Sequence, residues 1–151
     1  MDTQVAELLG GEGVLGASVK SNLDLARATR EGLPTEAAIQ LAALILDCVP
    51  DGPLGPLMPY GRRAGEIRDL GIGMIGLPGR LTLEQSDVVV RIAAAVARAI
   101  DVLGDRKKAV RWLTASNRAL GGEIPITLLD TSAGAHEVET VLDRIEYGVY
   151  S

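Results

Sequence analysis

Apolar side chains recur three and four residues apart along much of this chain, which is the period of one face of an α-helix. The clearest stripe is Val89, Ile92, Val96, Ala99, Ile100 and Leu103. Thr82-Leu83-Glu84-Gln85 stands in front of it and fits a capping box, in which a Thr hydroxyl and a Gln amide each satisfy an orphan backbone N–H. Gly104 stops it, so the longest predicted helix runs over residues 83–103. Asp105 then caps a helix that turns Ala109, Trp112 and Leu113 inward and Arg106, Lys107, Lys108 and Arg111 outward. Residues 125–129, opened by Pro125, predict one or two helical turns. In the last helix Val138, Val141, Leu142 and Ile145 share a face, with Thr131 or Ser132 as N-cap and Gly148 as C-cap.

The first half reads less evenly. Residues 4–9 predict a helix ended by Gly10-Gly11, and Val14-Leu15-Gly16 follows as a Gly-interrupted stretch. Ser21 caps a helix through Leu25, Ala26 and Thr29 that ends at Gly32. Pro34 suits the first turn of the next, which carries Ala38, Leu41, Leu44 and Ile45 to about Asp47. Residues 50–79 then hold eight Gly and five Pro. Pro50, Pro53, Pro56 and Pro59, one at every third position, forbid a helix there. Residues 62–70 predict two turns weakened by Gly65, and residues 70–79 an apolar, Gly-broken connector or short strand. The expected architecture is all-α, with some seven helices.

Composition sharpens this picture. Apolar residues make up 47% of the 151 but aromatics only 3%, and there is no Phe. A core of Leu, Val, Ile and Ala favours packed helices over a β-sandwich. The net charge of −5 excludes a surface given over entirely to nucleic acid. That excess lies in residues 1–61, where eight acids face Lys20, Arg27 and Arg30. A lone cysteine, Cys48, leaves neither an internal disulfide nor a cysteine-based metal site and reads as a small core residue. Asp2, Glu7 and Glu12 precede the first cation, Lys20, so no signal peptide is expected. The longest apolar runs are about ten residues, too short to span a bilayer. A soluble, cytoplasmic protein is expected, with no membrane partner.

Catalytic chemistry finds little support. His136 has no second His, Cys or Ser beside it to make a catalytic set or a metal site, and reads as a surface residue. Glu137 and Glu139, two apart on a helix, point in different directions. Gly71-Ile72-Gly73-Met74-Ile75-Gly76 is a compressed dinucleotide-type pattern with Pro78-Gly79 where a helix should begin. No catalytic residue, cofactor or metal site is expected, and so no enzyme. Arg62, Arg63 and Arg68, with Arg80 nearby, suit either a solvated helix surface or a cationic face for phosphates. Leu41, Leu44 and Ile45 suit either a homodimer face or internal core.

Two segments carry a family resemblance. The first holds Glu7-Leu8-Leu9-Gly10-Gly11, Val14-Leu15-Gly16, Ser21-Asn22-Leu23-Asp24-Leu25 and Glu31-Gly32-Leu33-Pro34-Thr35-Glu36-Ala37. The second runs from Gly79-Arg80-Leu81-Thr82 and Glu84-Gln85-Ser86-Asp87 through Trp112-Leu113, Asn117, Leu120-Gly121-Gly122, Pro125, Leu128-Leu129, Thr131 and Gly134 to Glu146-Tyr147-Gly148. In that order and spacing they resemble the MbcA/ParS/Xre family of bacterial antitoxins. The resemblance implies a helix-turn-helix-like domain related to Xre repressors over residues 1–80, diverged at its Pro/Gly-rich residues 50–79, and a toxin-binding domain over residues 81–151. It implies the antitoxin of a type II toxin–antitoxin module. Its partner would be a RES-domain toxin that consumes NAD or transfers ADP-ribose, the active site of which it masks with its last helix and tail. Arg144, Glu146, Tyr147, Gly148, Val149, Tyr150 and Ser151 would make contact, Tyr147 and Tyr150 as rigid amphipathic anchors. Trp112, Asn117, Leu120, Gly121, Gly122, Pro125, Leu129, Thr131 and Gly134 would be scaffold, the two Gly permitting a positive-φ turn or a close backbone approach and Asn117 capping or bonding the loop backbone. A homodimer within a hetero-oligomer is implied as well. The alternative is a DNA-binding autorepressor using Arg62, Arg63 and Arg68. Members of the family carry a basic recognition segment after a Pro-Arg-Arg-like step, of which Met58-Pro59-Tyr60-Gly61-Arg62-Arg63 is the one echo here.

Overall fold

The computed structural model describes residues 2–16, 18–70 and 79–148. Among them are eight α-helices: α1 (Asp2–Leu8), α2 (Gly11–Leu15), α3 (Asn22–Glu31), α4 (Thr35–Cys48), α5 (Gly61–Leu70), α6 (Leu83–Leu103), α7 (Arg106–Thr114) and α8 (Ser132–Glu146). Short 3-10 helices, Gly55–Tyr60, Arg118–Leu120 and Pro125–Leu128, join some of them. The all-α expectation holds, because a chain rich in Leu, Val, Ile and Ala buries them as helical stripes.

Local chemistry sets most helix ends. Thr82 and Gln85 form the reciprocal capping box, at 3.1 Å for Gln85 N–H to the Thr82 hydroxyl and 2.9 Å for Thr82 N–H to the Gln85 side chain. Ser21, Asp105 and Thr131 cap α3, α7 and α8 through their side-chain oxygens. Helix α6 ends at Gly104, where φ is 82°.

Helix α6 is the spine. It packs on α1, α3 and α4 from the first half and on α7 and α8 from the second. Val89, Ile92, Ala93, Val96, Ala97 and Ala99 on α6 are buried, as are Leu41, Ala42 and Ile45 on α4. Of Leu41, Leu44 and Ile45, open to a dimer reading in the sequence, Leu41 and Ile45 are thus internal core and Leu44 is half-buried against it.

A second set of contacts ties the start of α4 to the start of α6. Leu33 N–H donates to the fully buried Ser86 hydroxyl at 2.9 Å. Leu81 N–H donates to the Leu33 carbonyl at 2.8 Å, and Arg80 to the Gly32 carbonyl at 2.8 Å. Gly32 sits at φ 91°, and a Cβ there would come 2.5 Å from the Leu81 carbonyl oxygen. Only glycine allows so close an approach.

Three expectations need correction. Val14-Leu15-Gly16, read as a Gly-interrupted stretch, closes the short helix α2, with Gly10 and Gly16 in the left-handed region at its two ends. The proline spacing does not exclude helix. Gly55–Tyr60 is a 3-10 helix, with Pro56 in its first turn, where no N–H is required, and Pro59 inside. A 3-10 turn asks for few backbone bonds, and burial of Leu54 and Leu57 holds this one in place. The helix count rises accordingly, to eight α-helices with three 3-10 helices among the described residues. Elsewhere, α5 extends over the two turns foreseen. Cys48 is half-buried against the core, which pushes its thiol pKa up. Residues 71–78, which hold the glycine motif and most of the predicted connector, lie outside the described residues.

Candidate partner-binding site

The second half of the chain builds a seat for α8 and presents its far end. Helix α7 brings Leu113 fully into the core and leaves Trp112 half-buried beside it. Asn117, only 7% exposed, then organises a tight loop. Its side chain accepts from Ala119 N–H at 2.9 Å and its carbonyl from Gly122 N–H at 2.9 Å. Gly121 and Gly122 take φ of 67° and 87°, the positive-φ turn of the two readings open to them in the sequence. Pro125 is buried at the head of the next 3-10 helix, and Ile126 and Leu129 are fully buried.

Helix α8 starts directly on that turn. Thr131 caps it through a 3.0 Å bond from Gly134 N–H. At Gly134 any Cβ would collide with the Leu128 carbonyl, so glycine is what lets the helix sit down. From the spine, Arg91 reaches the Leu129 carbonyl at 3.1 Å while pairing with Asp87 at 2.7 Å. Val138, Val141 and Leu142 then bury the inner face of α8. Between α6 and α8 a pit of about 140 Å³ remains, lined by Ala94, Ala95, Ala135 and Val138 among others.

The far end of α8 is built from charge. Arg98 of α6 donates to Glu146 at 2.7 and 3.1 Å and to Asp143 at 2.8 Å. These bonds hold the Glu146 carboxyl below the usual carboxylate range and the Arg98 guanidinium even more firmly protonated than usual. Past them the surface opens: Arg144, Glu146 and Gly148 are exposed, and Tyr147 is 74% exposed. Gly148 takes φ 70°. The remaining contact residues expected from the sequence, Val149, Tyr150 and Ser151, lie outside the described residues.

The candidate phosphate-binding arginines stand elsewhere, on α5. Arg62 is 94% exposed by its side chain, yet Arg62 and Arg63 both turn to Glu66, at 3.8 and 3.1 Å. Arg68 lies on the same helix, its side chain outside the described residues. Arg80 is engaged with Gly32. His136 is exposed near the start of α8.

Arg98 and Asp143 were missed by sequence reasoning. Their pairing crosses 45 residues and has no local signature. The Asp87–Arg91 pair was readable, being four apart on a predicted helix.

These features define a helical binding module: a core-seated last helix with a rigid base, an exposed aromatic end, and no grouping of acids, His and Cys fit for a metal among the described residues. Residues 98–148 match the family model of the antitoxin Xre/MbcA/ParS C-terminal toxin-binding domain. The C-terminal part of the chain is thus similar to that domain, in keeping with the motif resemblance. It is 38% identical over 74 residues to an Antitoxin Xre of Yersinia enterocolitica, covering 48% of this chain and 50% of that one. An Antitoxin Xre of Photorhabdus laumondii is 35% identical over 74 residues, with the same shares of 48% and 50%. One of Pseudomonas putida is 37% identical over 68 residues, 45% of this chain and 43% of the other. The chain spans about half the length of the curated relatives it matches.

Proposed function

We propose that this protein is an antitoxin that binds a cognate protein toxin through its last helix and neutralises it. The observation that carries this reading is the match of residues 98–148 to the toxin-binding domain model, with Tyr147 exposed at the end of α8. It acts by binding and not by catalysis. On the finer level, the toxin is a RES-domain enzyme acting on NAD, and the end of α8 with residues 149–151 occludes its active site. Arg144, Tyr147 and Tyr150 make the contacts, since aromatic and Arg side chains dominate interface energetics. Labour divides near residue 80, the first part bearing the repressor-like fold and the second the toxin. A homodimer at the centre of a hetero-oligomer completes the assembly.

The test is co-expression with the neighbouring reading frame. That product is expected to arrest growth and deplete NAD alone, and to do neither and co-purify when this chain is present. A harmless neighbour, or one that does not co-purify, refutes the reading. Removing residues 149–151 is expected to weaken neutralisation, and unchanged neutralisation would exclude the tail from the interface.

The exposed Arg62 supports a second activity, autorepression through DNA. Binding to its own promoter should then weaken steeply with salt, as phosphate contacts do. No retarded complex at low salt would exclude it.

A further inference from the structure

We propose that Arg98 is a positioning residue for toxin binding: its guanidinium fixes the last turn of α8 and so the direction in which Tyr147 and Gly148 are presented. This rests on the reading above, in which the end of α8 meets the toxin.

Helix α8 is anchored very differently along its length. Its base is rigid, with Gly134 set against the Leu128 carbonyl, Thr131 as cap and Arg91 bonded to the Leu129 carbonyl. Its middle buries Val138, Val141 and Leu142, but beside them Ala94, Ala95 and Ala135 leave a partly open pit of about 140 Å³ between the two helices. Its buried apolar contacts stop at Leu142. Beyond that, Arg144, Glu146 and Tyr147 are exposed and Ile145 is half-buried. What ties the last turn to the spine is the Arg98 fork, whose side chain is 19% exposed and which spans Asp143 and Glu146 with three hydrogen bonds.

The lever makes this connection matter. A helix of 15 residues is about 22 Å long, so a pivot of about 10° at its base moves its end by about 4 Å. A displacement of that size is far outside what a packed interface tolerates, where free and bound backbones commonly agree within about 1 Å. A paired charge suits the task. It fixes direction through bidentate geometry without covering the aromatic end in apolar contacts.

The experiment uses the full chain and the purified product of the neighbouring reading frame. Arg98→Glu, Arg98→Gln and the swapped pair Arg98→Glu with Glu146→Arg are compared with wild type in two measurements. The first is hydrogen exchange of the free protein over residues 143–148. The second is affinity for the neighbouring product. Both single variants are expected to raise exchange in the last turn of α8 while leaving α6 and α7 protected, and to weaken binding about tenfold or more. The swapped pair should recover most of both. Wild-type binding with unchanged affinity in the single variants overturns this inference and leaves the proposed function standing. Failure of the swap to restore binding, with exchange restored, also overturns it, since a fixed last turn would then not be what binding requires. If wild type does not bind, the proposed function falls and this inference with it. Should Arg98→Glu fail to fold, Arg98→Gln, a shorter and uncharged side chain that cannot bridge both carboxylates, decides the matter by the same two measurements.

Discussion

Single atoms at Ser86 and Gly134 carry more of this fold than their size suggests. The Ser86 hydroxyl receives the Leu33 N–H in a fully buried setting, so Ser86→Ala leaves a buried donor without a partner. That change is expected to cost about 1–3 kcal/mol, measured as a lower urea midpoint with unchanged slope. Gly134→Ala meets backbone instead of a flexible side chain, because the Leu128 carbonyl stands where the methyl must go. Relief requires α8 to lift from its seat, at about 1–3 kcal/mol or more. Its signature should be double: a lower Tm, and affinity for the proposed toxin partner reduced further than the stability loss accounts for. Equal affinity would mean that the base of α8 does not govern its far end. Gly134 was marked as scaffold by its place in the motif, but its reason, a carbonyl six residues back, is visible only in three dimensions.

At the scale of elements, caps and charge pairs decide where helices stop. The capping box at Thr82 and Gln85 was legible because both bonds join residues three apart. Thr82→Ala should lose about 1 kcal/mol, read by thermal unfolding. The far end of α8 depends on ionisation. The Glu146 pKa is lowered by Arg98, so the bridge contributes fully above the ordinary value of 4.5 and is lost as pH falls through the lower folded value. Protection of the last turn of α8, corrected for the intrinsic pH dependence of exchange, should therefore be constant near neutral pH and fall in acid below that range. Arg98→Gln should abolish the acid step. The proline segment misled because the rule applied to it concerns α-helices. A 3-10 turn with Pro56 at its start avoids the conflict, and burial of Leu54 and Leu57 selects it.

Across the whole molecule, α6 belongs to both halves, and the buried side chains of α1, α4, α6, α7 and α8 form one continuous core. Unfolding followed by Trp112 fluorescence, which reports the second half, should coincide with unfolding followed by far-UV circular dichroism. Separated transitions would show that residues 1–80 and 81–151 melt independently. The sequence by itself determined the all-α class, the span of α6, the caps of α3, α6 and α7, and the motif that resembles the toxin-binding domain. Each of these rests on interactions between residues a few positions apart, or on an ordered spacing that survives translation into a string. Tertiary structure alone decided that Leu41 and Ile45 face inward, that Gly134 must lack a side chain, and that Glu146 is held by Arg98. Those outcomes depend on which surfaces meet after the helices pack, and a contact across 48 residues leaves no periodic trace along the chain.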